Sequence, residues 1–143
     1  MDINAFMEKM KNRLEAKYGG KCQIYTDRLD TQLYWFSGDE PEALSVIIFK
    51  FVTRIVGNKL GDETKEFEVY NWSFDMEEEK YDIISKNLCF NYYTTPEEKM
   101  EAQIFKSMKN VYNLVQNFNL LKKQKWVYQR KKEIEKEFSD DEY

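Results

Sequence analysis

Apolar positions near the start of the chain recur with helical spacing. Ile3, Phe6, Met7, Met10 and Leu14 stand at i, i+3, i+4, i+7 and i+11, one stripe of an amphipathic helix. Asp2 offers a side-chain acceptor to the first turn, and Gly19-Gly20 offers the left-handed conformation that ends the last one. Two short stretches with extended character follow at 21–26 and 32–36, joined by the polar Asp27-Arg28-Leu29-Asp30. Cys22, Ile24 and Thr26 share one face of the first stretch. In the second, Leu33 and Trp35 oppose Tyr34 and Phe36. So short a connection predicts an antiparallel pair.

Segment 43–56 fits two periods. Leu44, Ile47, Ile48, Phe51, Val52 and Ile55 match a helical stripe, with Asp39 and Glu42 as a capping box and Gly57 as a stop. Yet seven of its fourteen residues are Val, Ile or Thr, which lose rotamer freedom in helices and pack well on sheets. A Gly/Asn-rich turn at 57–62 then leads into another β-like run, so a long strand is the favoured reading. Over 66–76, Phe67 and Val69 take one face, while Tyr70, Trp72, Phe74 and Met76 take the other. That switch predicts a bulge at Val69-Tyr70 or burial on both sides. After the charged turn Glu77-Glu78-Glu79-Lys80, the segment 82–93 alternates again through Ile84, Leu88, Phe90 and Tyr92.

Thr95-Pro96-Glu97-Glu98 reads as a helix start, with Thr95 capping, Pro96 in the first helical position and Glu98 completing a capping box. Met100, Ile104, Met108, Val111, Val115 and Phe118 form the stripe that packs this helix on the sheet. Beyond Asn117-Phe118-Asn119 the apolar line moves to Leu120, Val127, Ile134 and Phe138, on another side of the helix. Either the chain bends at the asparagines into a second helix, or one long helix carries a second seam. A helix that has covered its own sheet and still bears an apolar line suits another surface. Folding back on the first helix is the alternative. The elements together predict an α+β fold, an antiparallel sheet of four or five strands flanked by an N-terminal helix and a long C-terminal helix or two. Residues 1–118 form the domain, and 119–143 form a helical extension with an acidic tail.

Composition narrows the chemistry. The chain has 143 residues, 16% of them aromatic, and no histidine. Without histidine it lacks the commonest general acid/base, the commonest metal ligand and the usual partner of a Ser or Cys nucleophile. Its five glycines form no phosphate-cradling motif. Cys22 and Cys89 are too far apart for a CxxC pair or a zinc knuckle, and read as structural thiols. A non-enzymatic protein without cofactor or metal is expected. The longest apolar run, Val46 to Phe49, is far short of a membrane span, and the acidic N-terminus does not resemble a signal peptide.

The net charge of −4 conceals three blocks. Residues 62–79 carry eight acids and one base, −7. Residues 120–132 carry six bases and no acid, Lys122, Lys123, Lys125, Arg130, Lys131 and Lys132, and residues 133–143 carry six acids and one base. The basic block, interleaved with Trp126 and Tyr128, has the residue types that phosphate binding and base stacking use, but its charges surround the helix and an acidic tail adjoins it. A solvated or protein-contacting face is favoured over nucleic acid. The acidic hairpin, with Glu77, Glu78, Glu79 and Trp72, could mimic a polyanion and block a basic site on a partner, as small inhibitor proteins do. Its simpler role is to keep a sheet edge soluble. The leading expectation is a subunit of a homo- or hetero-oligomer, contacting protein partners through Trp126, Val127, Ile134 and Phe138.

The opening Asn4-Ala5-Phe6-Met7-Glu8-Lys9-Met10 helix, the Phe67-Glu68-Val69-Tyr70-Asn71-Trp72-Ser73 strand and the Thr95-Pro96-Glu97-Glu98 helix start give an order of elements that resembles bacteriophage neck and tail-completion proteins. The resemblance covers about residues 1–118 and lies in topology; the segment beyond Asn119 is an addition to that pattern. It implies a ring-forming head–tail connector or tail-terminator-like subunit, located in a host cytoplasm or a virion. Read without it, the chain is expected in the cytoplasm.

Overall fold

In the computed structural model the described residues are 1–38, 45–55, 63–75 and 80–140. They form α1 (Ile3–Tyr18), β1 (Lys21–Thr26), β2 (Asp30–Phe36), β3 (Ser45–Ile55), β4 (Glu63–Asp75), β5 (Lys80–Asn91) and α2 (Glu97–Asp140). The five strands pair in sequence order, every pair antiparallel. Such a meander needs only local connections, so each strand joins the one just laid down. Both helices cover the same face of the sheet, α1 over β1 and α2 over β3 and β4.

The helix stripes explain this arrangement. Phe6, Met7, Met10 and Leu14 of α1 and Met100, Ile104, Met108 and Val111 of α2 are all buried against Leu33, Trp35, Phe49, Phe51 and Phe67 of the sheet. The Asp2 carboxylate accepts from Ala5 N at 3.2 Å, satisfying one of the free amides at the start of α1. At the other end Gly19 and Gly20 both take positive φ. A Cβ on Gly20 would lie 2.3 Å from the Phe36 carbonyl oxygen, so the chain can reverse onto β2 there only without a side chain. The Trp35 indole donates to Gly19 O at 3.0 Å and holds the reversal in place.

Segment 43–56 has a physical reason for its ambiguity. The described part, Ser45–Ile55, is a strand. Leu33 opposes Phe49 while Tyr34 opposes Ile47, leaving Ile48 as an extra residue. This bulge brings two consecutive side chains, Ile48 and Phe49, into the core, and the apolar spacing then mimics a helix. A true helix would bury Ile55 with Phe51 and Val52, yet Ile55 is 63% exposed. In β4 the expected irregularity is present: the register with β5 shifts between Val69 and Tyr70, and again between Asn71 and Trp72. Burial on both sides occurs too, since Phe67, Glu68, Val69 and Tyr70 are all buried.

Two boundaries differ from expectation. The last strand runs Lys80–Asn91, and just past its end Tyr92 N donates to Lys65 O at 3.3 Å while its ring packs against Phe51 at 5.1 Å. Thr95 does not cap α2. Its hydroxyl donates back to Asn91 O at 2.7 Å, which accepts from the Thr94 and Thr95 amides as well, and the first helical carbonyl is that of Pro96, accepting from Met100 N. The tight turn after β5 claims the threonine before the helix can use it. Finally, α2 is one continuous helix of 44 residues, with no bend into a second helix at Asn117–Asn119 and no return onto α1. Among the described residues no helix is long and apolar enough to cross a membrane.

Candidate functional site

Two surfaces stand apart from the core: the sheet face opposite the helices and the far half of α2. On the sheet face the register sets Lys50 opposite Glu68 and Val52 opposite Glu66. Arg54 reaches across diagonally, donating from Nε to Glu66 Oε2 at 2.7 Å and from Nη2 to Glu68 Oε1 at 2.5 Å. Lys50 Nζ lies 3.5 Å from Glu68 Oε2, and the Tyr70 hydroxyl donates to that same oxygen at 3.0 Å. Glu68 is 2% exposed, so these partners replace its lost hydration. Hydrogen bonds to Glu68 and Glu66 raise the Arg54 guanidinium above its already high ordinary value. Burial first, then the charge and hydrogen bond of Glu68, push the Tyr70 hydroxyl above the usual tyrosine range.

This network ties β3 to β4. It also revises the charge of the hairpin. Of the eight acids in 62–79, Glu66 and Glu68 are neutralised by Arg54 and Lys50 from the neighbouring strand, and Glu63 lies 3.5 Å from Lys65. Summing charge along the chain missed this, because the cations sit on a different strand; placing Lys50 and Arg54 at cross-strand positions was the signal available. Trp72 does not project as a contact residue. It is half-buried against the core and its indole donates to Ile47 O at 2.8 Å. Glu77, Glu78 and Glu79 lie outside the described residues. The buried Cys22 thiol is pushed up to about 12, by burial and then by the nearby Glu15 carboxylate, which leaves it protonated at neutral pH and a poor nucleophile. Beside β1 and β2 lies a shallow groove of about 610 Å³, floored by Tyr25 and Tyr34 with their rings 5.2 Å apart. The carboxylates on its rim serve local geometry: Asp30 accepts from the Gln32 amide and Asp27 from Arg28 N.

The far half of α2 is different in kind. The last α2 side chain packed against the core is Val115, Phe118 is half-buried, and every side chain described from Asn119 to Phe138 is exposed. The 22 residues of α2 from Asn119 to Asp140 extend about 33 Å at 1.5 Å per residue. A free peptide of that length is a marginal helix, but here the packed half supplies the nucleus and propagation needs only good helix formers. Leu120, Trp126, Val127, Tyr128, Ile134 and Phe138 are six of the eleven exposed large apolar side chains among the described residues, and Phe138 is 70% exposed. Val127, Ile134 and Phe138 share one side of the helix, while Trp126 and Tyr128 stand about 100° to either side of Val127.

The charged residues of the basic block surround this seam. Lys123, Lys125, Arg130, Lys131 and Lys132 are exposed, and Lys122 belongs to the same helix. Lys132 Nζ sits 4.8 Å from the Tyr128 ring centroid, and Arg130 Nη1 is 3.4 Å from Glu133 Oε2 across the point where the charge changes sign. This surface combines exposed apolar side chains, long amphipathic stems and flanking charge of both signs. Comparison with known protein families, curated proteins and solved structures finds no match to this chain.

Proposed function

We propose that this protein is a non-enzymatic assembly subunit, in which a packed helix–sheet–helix body carries and aims a helix that docks on other protein subunits. The observation that carries this reading is the concentration of exposed apolar side chains on the far half of α2, beyond the last residue that packs on the sheet. A ring component of a virion neck or tail is a setting that suits a small body of this order with a projecting contact helix. Nucleic acid is a weaker fit, because the bases encircle the helix and six acids follow within residues 133–143. Inhibition through the acidic hairpin is weaker as well, because Glu66 and Glu68 are already paired.

Light scattering on the purified full-length chain, alone and mixed with the products of neighbouring genes, tests the proposal. An assembly that disappears in the Val127→Ser, Ile134→Ser, Phe138→Ser triple variant, with thermal unfolding unchanged, is the expected result. A strict monomer, alone and in every mixture, contradicts it.

A further inference from the structure

We infer that the occupant of the α2 seam is a second copy of this chain, its helix running antiparallel to the first. The inference rests on the assembly reading and deepens it. Two features of the far half of α2 converge on it, one apolar and one electrostatic.

The apolar feature is a heptad spacing. Val127, Lys131, Ile134 and Phe138 are separated by four, three and four residues, the alternation that keeps one side of a helix against a partner. Three of the four are apolar and exposed, and the aliphatic stem of Lys131 can cover the fourth position while its ammonium group stays in water. In an antiparallel pair with two-fold symmetry, each position faces a different one on the other copy, and the relation is reciprocal. If Val127 faces Phe138, then Lys131 faces Ile134, and all four layers are accounted for. The two-fold axis then passes between Lys132 and Glu133.

The electrostatic feature selects the same point. Residues 120–132 carry +6, and residues 133–143 carry six acids and one base, −5, so the charge reverses between Lys132 and Glu133. A parallel pair sets +6 against +6 and −5 against −5, and is repelled at both ends. An antiparallel pair about that axis sets each basic block against an acidic one. In this register Arg130, which flanks the seam one residue before Lys131, lies on the same side as Glu137 of the second copy, which flanks it one residue before Phe138. Neither pattern was used to derive the other, and one register satisfies both. The paired layers, 127–138, all lie beyond Phe118, so the body's packing on α2 is left undisturbed.

The experiment uses the full-length chain. Sedimentation in low salt should give a dimer that dissociates as salt is raised. Charge reversal by Arg130→Glu should weaken dimerisation several-fold, and adding Glu137→Arg should restore it. For orientation, Val127→Cys and Phe138→Cys variants are oxidised separately and as a mixture, with the parent chain as control for Cys22 and Cys89. A disulfide that forms mainly in the mixture supports the antiparallel pair. Disulfides between identical positions overturn it, as does a dimer indifferent to charge reversal. A chain that is monomeric alone but joins a different protein through the seam overturns self-pairing and leaves the assembly reading standing. A monomer that joins nothing removes both.

Discussion

The two halves of α2 share one backbone and live in opposite environments. From Glu97 to Phe118 the helix presents Met100, Ile104, Met108 and Val111 to the sheet, and all four are buried. From Asn119 onward the apolar side chains among the described residues are exposed, six large ones in all. Continuity and placement therefore have different causes. Continuity is local: Asn117 and Asn119 are mediocre helix formers costing up to about 0.7 kcal/mol each, and no Gly or Pro interrupts the run from Glu97 to Asp140. Placement is a matter of stripe direction. Where the apolar line faces the sheet the helix is held, and where it turns away the helix projects.

The sharpest way to test this contrast is to remove one large side chain from each region. Phe67→Ala leaves a cavity in a fully buried site and should cost about 3–5 kcal/mol in denaturant unfolding. Phe138→Ala, measured at a concentration where the chain is monomeric, should stay within about 0.5 kcal/mol of the parent. Equal losses would mean that the far half of α2 is packed on the body after all.

Next in size is the reversal that positions α1 over the sheet. Gly20→Ala brings a Cβ against Phe36 O and the Trp35 indole and strains a positive φ, so a loss of about 2–4 kcal/mol is expected. Gly19→Ala pays only the conformational term, about 1–2 kcal/mol, because its Cβ would meet open space. Chemical denaturation of the two variants side by side tests whether the close approach matters beyond φ.

On the open face of the sheet, Glu68→Ala should cost about 1–3 kcal/mol, because it strips the buried Tyr70 hydroxyl of its acceptor. Glu68→Gln keeps an acceptor and should fall below that. If both variants are neutral, the network does not hold β3 to β4.

The smallest effect belongs to the clamp between the helices. Lys9 and Arg13 of α1 donate to Glu101 of α2 at 2.6 and 3.0 Å. Burial alone would raise the Glu101 carboxyl, but these two hydrogen bonds and their charges outweigh it and hold the pKa below the ordinary value of 4.5. A carboxyl lowered on folding contributes its full stability above that ordinary value and loses it as pH falls through the folded one. Because the cations are half exposed, the contribution is about 0–1 kcal/mol. The acid limb of a stability–pH curve should therefore be slightly shallower for Glu101→Gln than for the parent, with the two curves parallel at neutral pH.

The elements that were legible in the sequence are those whose pattern is set by a single period. α1, with its Asp2 cap and double-glycine stop, is of that kind, and so are the β1–β2 pair and the packed stripe of α2. What sequence obscured was geometry between elements. The Ile48 bulge scrambles the period of β3, the turn after Asn91 takes Thr95 from the helix, and the pairing of Arg54 and Lys50 with Glu68 crosses strands. Of the contact residues expected from sequence, Val127, Ile134, Phe138 and Trp126 are exposed together on one helix, while Trp72 is engaged in the body. The Val127–Lys131–Ile134–Phe138 spacing and the charge reversal beside it were also present in the sequence. Their meaning depends on α2 being one unbroken helix that leaves the sheet.

Sedimentation equilibrium on the full-length chain over a wide concentration range, in low and in high salt, reads the central claim most directly. The account predicts that the mass rises with concentration from 17.4 kDa toward twice that value in low salt, and that the rise shifts to higher concentration in high salt and vanishes in Phe138→Ser. A mass of 17.4 kDa at every concentration and salt would contradict it.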